Sequence, residues 1–392
     1  MAAELGDLGP LVDHHCHGLL LDDLDRPSFE SLINEATAPS PLGTTFFDSM
    51  LGLAIRRWCA PALGLQPHAS ADDYLARRKE LGVDASRRLI AAAGIETFLV
   101  DTGLNAETLC SPAELAAMSG GTAYEVLRLE SLAEELLDDG TNAHDFAEAV
   151  ERALQDSTAV AAKSIIAYRI GLDLPANPPS TDALTAALGS QRPTDRDHYR
   201  IAHPVINSWL AWTAIKIGKP LQIHVGYGDA DIDLRRADPL RLTAFLRATE
   251  AYGVPVLLLH NYPFHRSAAY LAQVFSHVFM DVGLAVHNTG ALSLALIRES
   301  LELVPFGKLL FSSDAYGLAE LYYLGAELFR RGLSTVLSEL INQDEITSQD
   351  AGHLAALIAR DNARRVYRLS AAPYSPGCHW CQGLWWRSSD WP

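Results

Sequence analysis

Leu11-Val12-Asp13-His14-His15-Cys16-His17 begins apolar and runs straight into an aspartate and three histidines. Leu11 to His15 reads as a buried strand, and His15 and His17, two apart on or just after it, project to the same side. Two imidazoles on one side can share a metal. With 14 His in 392 residues, roughly 0.5 His-x-His pairs are expected by chance, so the pair gains weight only from its position at a strand end.

Seven further short apolar runs follow: Ile95 to Val100 leading into Asp101, Tyr124 to Leu129, Val160 to Ala167, Leu221 to Val225, Val254 to Leu259, Val278 to Val282 and Lys308 to Ser312. Ala- and Leu-rich stretches with helical spacing separate most of them, and Gly218-Lys219-Pro220 and Gly253-Val254-Pro255 supply stop signals. Eight strand and helix units predict an α/β fold, a (β/α)8 TIM barrel whose chemistry lies at the C-terminal strand ends. The barrel is expected over 1–370, with a helical cap inserted at about 18–90 after strand 1, where Phe46 to Leu53 and Ser70 to Leu81 are amphipathic. Asp173 to Asp197, with Pro175, Pro178, Pro179 and Pro193, predicts an irregular loop over the barrel mouth.

Composition narrows the class. The chain is 48% apolar and carries 48 acidic against 31 basic residues, a formal charge of -17, so it can bury a large core and presents no basic footprint for nucleic acid. No stretch approaches the roughly 18 to 20 apolar residues of a membrane span, and Met1 to Pro10 lacks the pattern of a secretion signal. Five cysteines, an odd number spread along the chain, do not form the framework of a small secreted scaffold. A cytoplasmic protein acting on a small molecule, without nucleic acid or membrane partners, is the expectation, and a homo-oligomer is compatible with it.

Four more strand ends carry polar residues. His224 follows Leu221-Gln222-Ile223, His260 follows Val256-Leu257-Leu258-Leu259, and Asp314 follows Leu309-Leu310-Phe311-Ser312-Ser313. A lone histidine there is more often a satisfied core residue, but two on consecutive strands after a His-x-His strand favour a metal site. For Asp314 a cation or a proton-transfer role would account for the buried carboxylate; the alternative is an N-cap for the helix beginning near Leu318. Lys163 stands out because the chain uses 26 Arg and only five Lys, yet places one inside the apolar run Val160 to Ile166. Conversion to a carbamate by carbon dioxide would give an anionic ligand bridging two metals, and a salt bridge inside the barrel is the alternative.

These segments resemble the amidohydrolase superfamily, in particular its amidohydrolase 2 branch and the amidohydrolase domain of FluG-type and nodulin-related glutamine-synthetase fusion proteins. The resemblance runs from Val12 to about Leu369 and rests on Val12 to His17, Lys163 to Leu172, Leu221 to Asp229, His260 to Phe264 and Phe311 to Asp314. It implies that His15, His17, His224, His260 and Asp314 are metal ligands with Lys163 a candidate carbamate, that one or two Zn2+ or other divalent ions are bound, and that Asp314 and His260 are catalytic. It further implies a metal-dependent hydrolase of an amide or other C–N bond, γ-glutamyl amides included; a non-oxidative decarboxylase is the runner-up. The chain departs from that resemblance in one respect: no glutamine-synthetase domain is expected after residue 370.

Arg169, just beyond the Lys163 strand, is suited to a two-pronged bond with a substrate carboxylate, with Tyr168, Tyr227 and His265 near it in the motifs. Pairing with an internal Asp or Glu is the other reading of Arg169, and Arg128 and Glu130 read equally as mutual partners or site residues. In the tail, 371–392, Cys378-His379-Trp380-Cys381 is half a zinc site and four of the seven Trp fall in the last thirteen residues; packing on the barrel or on a neighbouring subunit is favoured over a zinc knuckle.

Overall fold

Seven parallel strands hydrogen-bond side by side in chain order: β1 (Leu11–Cys16), β2 (Ile95–Asp101), β3 (Thr122–Arg128), β4 (Ala161–Ser164), β5 (Leu221–Val225), β6 (Val256–His260) and β7 (Val278–Met280). They come from a computed structural model that describes residues 8–39, 42–194 and 198–369. The Cys378 and Cys381 pair and the Trp-rich tail lie outside the described residues. β1, β5 and β6 are buried at every position, the signature of strands covered on both faces.

The eighth expected strand does not form a ladder. Leu309 makes a lone bridge to Met280, Leu310 N–H donates to the Met280 carbonyl, His14 N–H to Phe311 and Asp314 N–H to His15. The segment therefore closes the sheet between β7 and β1. Ladder pairing lapses where Ser313 donates its N–H to the Asp13 carboxylate at 2.9 Å instead of to a carbonyl. Two other strands are shorter than their apolar runs. β4 ends at Ser164 because Glu130 takes the Ser164 hydroxyl and the Ile165 N–H, and Ile166 to Arg169 then form one helical turn. β7 ends at Met280 because the Asp281 carboxylate accepts the His260 and Gly283 N–H groups.

Inside the barrel, Val12, Leu99, Val126, Ala161, Leu257, Leu259 and Leu310 pack together, plugged at the N-terminal end by Ala363, Val366 and Tyr367. Strand alternation then fixes the next layer up: Asp101, Arg128, Lys163 and His224 stand two residues beyond Leu99, Val126, Ala161 and Gln222, on the same interior face. Register agrees, with Lys163 opposite Arg128 on one side and Gln222 on the other.

Between β1 and β2 the chain forms helices Arg26–Ser31, Met50–Ala54, Ala71–Leu81 and Val83–Ala93. Ser70 caps the third by accepting the Asp73 N–H, and Gly94, at φ 60, ends the fourth in the left-handed conformation before β2 begins. The loop expected over Asp173 to Asp197 contains a helix, Thr181–Gly189, nucleated by the Ser180 cap and an Ala- and Leu-rich run that outweighs the flanking prolines. Among the described residues no helix is long and apolar enough to cross a membrane.

Helix Ala71–Leu81 is tied to the long helix Ala319–Asn342 by charge. Glu320 is fully buried and accepts Arg78 Nε at 2.8 Å and the Tyr74 hydroxyl at 2.8 Å. Arg78→Ala strands that carboxylate, so thermal or denaturant unfolding should report a loss of about 3 kcal/mol. A change within about 0.5 kcal/mol would mean the pair contributes nothing.

Candidate metal centre

At the C-terminal mouth the histidines converge on one carboxylate. Asp314 Oδ1 lies 3.2 Å from His15 Nε2 and 3.6 Å from His17 Nε2, and its Oδ2 lies 3.2 Å from His260 Nδ1. Lys163 Nζ is 3.0 Å from His15 Nε2. His224 stands beside them, its ring 4.5 Å from that of His260, with Nε2 donating to the Tyr227 carbonyl at 3.2 Å. Alternation along β6 would send His260 outward with Leu258; a left-handed φ of 68 breaks it. Asp314 is also left-handed, at φ 51, and is held by its N–H on the His15 carbonyl.

Two carbonyl-type acceptors decide which ring nitrogen of the first pair faces the carboxylate. His17 Nδ1 is 3.2 Å from the Asp101 carbonyl, which can only accept, and His15 Nδ1 is 2.9 Å from Gln222 Oε1. Both rings therefore carry hydrogen on Nδ1 and turn the Nε2 lone pair inward. Burial, reinforced by Lys163, lowers the His15 pKa to about 4, and burial lowers that of His224 to about 3. For His260 burial pushes it well below its ordinary value. Neutral imidazoles at pH 7 are what a cation requires. Burial works to raise Asp314, but the imidazoles, His260 first, hold it well below the usual carboxylate range.

A divalent metal fits these residues. Among the described residues, His15, His17 and Asp314 each bring one ligand atom within 4.8 Å of the others. Among the described residues the buried His260 Nδ1 has no aligned hydrogen-bond partner, and nitrogen with carboxylate oxygen is a donor set that Zn2+ accepts. Burial lowers Lys163 to about 8, against the attraction of Asp101 and Asp314, so a neutral amine is within reach near physiological pH.

A cavity of about 590 Å3 opens above, lined by His17, Lys163, His224, His260 and Asp314 as well as Tyr168 and Arg169. Tyr227 and His265 are not among its lining residues. Tyr227 packs edge-on against Tyr262, and His265 pairs with Glu299 at 2.7 Å. Arg128 grips Asp101 through Nε and Nη2, at 3.1 and 2.7 Å, while Glu130 caps β4, so neither is the other's partner. Arg169 Nη2 pairs with Glu134 at 3.1 Å, yet its buried Nε and Nη1 have no hydrogen-bond partner among the described residues.

Other residues of the site were not singled out by the sequence. Gln222 and Asp281 were visible as polar interruptions of apolar runs. Glu35 gave no signal; it reaches the cavity on the chain after helix Arg26–Ser31, and burial first, then the charges of Asp314 and Asp229, raises its carboxyl to about 7.

Fold and site together define a barrel protein with a metal-type centre at its strand ends. The amidohydrolase family model matches residues 139–369, well over half of the chain, and the chain belongs to that family. Protein fluG of Emericella nidulans is 26% identical over 410 residues, covering 93% of this chain and 46% of that protein. The chain thus spans about half the length of that curated relative. A crystal structure from Lactobacillus casei, of a protein assigned as a metal-dependent hydrolase, superposes with a TM-score of 0.81 at 27% identity, over 94% of this chain and 98% of that one. Uronate isomerase of Bacillus halodurans shares the fold, with a TM-score of 0.63 at 16% identity over 92% and 94% of the two chains.

Proposed function

We propose that the chain is a metal-dependent hydrolase cleaving an amide or other C–N bond of a small, carboxylate-bearing substrate, γ-glutamyl amides being the first class to try. The main support is the convergence of His15, His17 and His260 on Asp314 at 3.2 to 3.6 Å, on the floor of a cavity that also exposes Arg169. His15, His17, His224, His260 and Asp314 would hold one or two Zn2+ or other divalent ions, with Lys163 as a further ligand if carbon dioxide converts its neutral amine to a carbamate and releases a proton. A bound ion supplies Lewis acidity, lowering the pKa of water toward about 7 and polarising the scissile carbonyl.

The residues do the rest. Asp314 takes the proton of the attacking water and delivers it to the leaving nitrogen. His260, against Asp314 Oδ2, keeps that carboxylate turned toward the reacting atoms. Arg169, with Glu134 holding Nη2, would turn its guanidinium to the substrate carboxylate, and Tyr168 borders the same space. A non-oxidative decarboxylase is the second reading, favoured by a cluster of three ligand atoms that suits a single ion.

Counting metals per purified chain, then screening γ-glutamyl amides and aromatic acids for release of ammonia, amine or CO2, separates the two; a chain that neither binds metal nor turns over either class ends both. Arg169→Ala should raise KM by on the order of 10²-fold with metal content unchanged. A chain that unfolds, or an unaltered KM, assigns Arg169 to Glu134 alone.

A further inference from the structure

Beneath the metal centre lies a sealed set of polar groups that the reaction itself does not use. Gln222, His14, Asp281 and Tyr367 are all buried. Gln222 Nε2 donates to the His14 carbonyl at 2.8 Å and to the Tyr367 hydroxyl at 2.8 Å. Because a carbonyl only accepts, the amide cannot be turned around: its nitrogen must face His14, and its Oε1 must face His15 Nδ1 at 2.9 Å. The same hydroxyl lies 2.9 Å from His14 Nδ1. His14 Nε2 lies 2.8 Å from Asp281 Oδ2. Asp281 Oδ1 in turn accepts the N–H of His260.

We infer that Gln222 is a positioning residue of the metal centre: held in one orientation by the His14 carbonyl and the Tyr367 hydroxyl, it fixes His15 with hydrogen on Nδ1 and the Nε2 lone pair toward the ion. The inference rests on the metal-centre reading. Its physical content is that a neutral imidazole offers one lone pair, and a partner that can only accept at Nδ1 commits the other nitrogen to the metal. Tyr367, on the plug at the far end of the barrel, acts on a ligand it does not touch.

The test uses the full chain, with Zn2+ competed against a chromophoric chelator, and 15N imidazole shifts of the metal-free protein to read the tautomer. Gln222→Met keeps the volume and removes the acceptor. It should weaken Zn2+ binding 10- to 100-fold and leave His15 as a mixture of tautomers. Tyr367→Phe should shift both readouts the same way by less, and the double variant should bind no more weakly than Gln222→Met alone. Equal Zn2+ affinity in Gln222→Met with His15 still in one tautomer overturns the role of Gln222, and additive losses in the double variant overturn the link to Tyr367. If Gln222→Met does not fold, an unaltered tautomer and affinity in Tyr367→Phe overturn the inference. A wild-type chain that takes up no metal removes the metal-centre reading itself.

Discussion

Replacing Asp314 with Asn is expected to lower kcat by about 10³-fold, some 4 kcal/mol of barrier, while metal per chain falls little. The substitution is close to isosteric, and asparagine tolerates the left-handed backbone that φ 51 imposes, so the loop and its N–H bond to His15 should survive. The amide oxygen can still approach His15 and His17. What disappears is a group able to accept a proton. That carboxylate lies against three imidazoles and is held well below the usual carboxylate range, so it is ionised and available as a base. Steady-state rates, elemental analysis and a melting curve on one preparation check this. Full activity in the variant would remove Asp314 as the base, and loss of metal in step with activity would make it a ligand and no more.

Much of this arrangement was legible before any coordinates. Fully apolar strands bounded by Gly and Pro announced a parallel barrel, and because barrel chemistry sits at C-terminal strand ends, each polar residue closing such a run was a candidate. That logic picked out His15, His17, Lys163, His224, His260 and Asp314, which converge. It failed where side chains compete with ladders: Asp13 on Ser313, Glu130 on Ser164 and Asp281 on His260 cut strands short, and local apolarity carries no trace of a partner up to 300 residues away. Adjacency in a motif did not bring Tyr227 and His265 into the cavity lining: Tyr227 packs on Tyr262, and the turn after β6 carries His265 into a helix where it pairs with Glu299. Glu35 was invisible because its role depends on where the segment after β1 folds back, and no period in the sequence encodes that.

Stripping the metal should abolish turnover and lower the melting temperature by roughly 5 °C, both restored by added Zn2+. The size follows from linkage: an ion present at about 1,000 times its dissociation constant stabilises the folded state by roughly 4 kcal/mol, and a chain of this length unfolds with an entropy near 0.8 kcal/mol per degree. The protein should stay folded without the ion because most of the scaffold is satisfied without it: Gln222 holds His15, the Asp101 carbonyl holds His17 and Asp281 holds the His260 backbone. What the ion relieves is local: His260 Nδ1, without an aligned hydrogen-bond partner among the described residues, and the Asp314 carboxylate facing neutral rings. Differential scanning calorimetry with and without chelator, followed by add-back, measures it. Activity and melting temperature that both survive exhaustive chelation would leave the three imidazoles around Asp314 as a purely structural cluster, whereas a collapse far beyond 5 °C would mean that the ion organises the barrel mouth as well as the reaction.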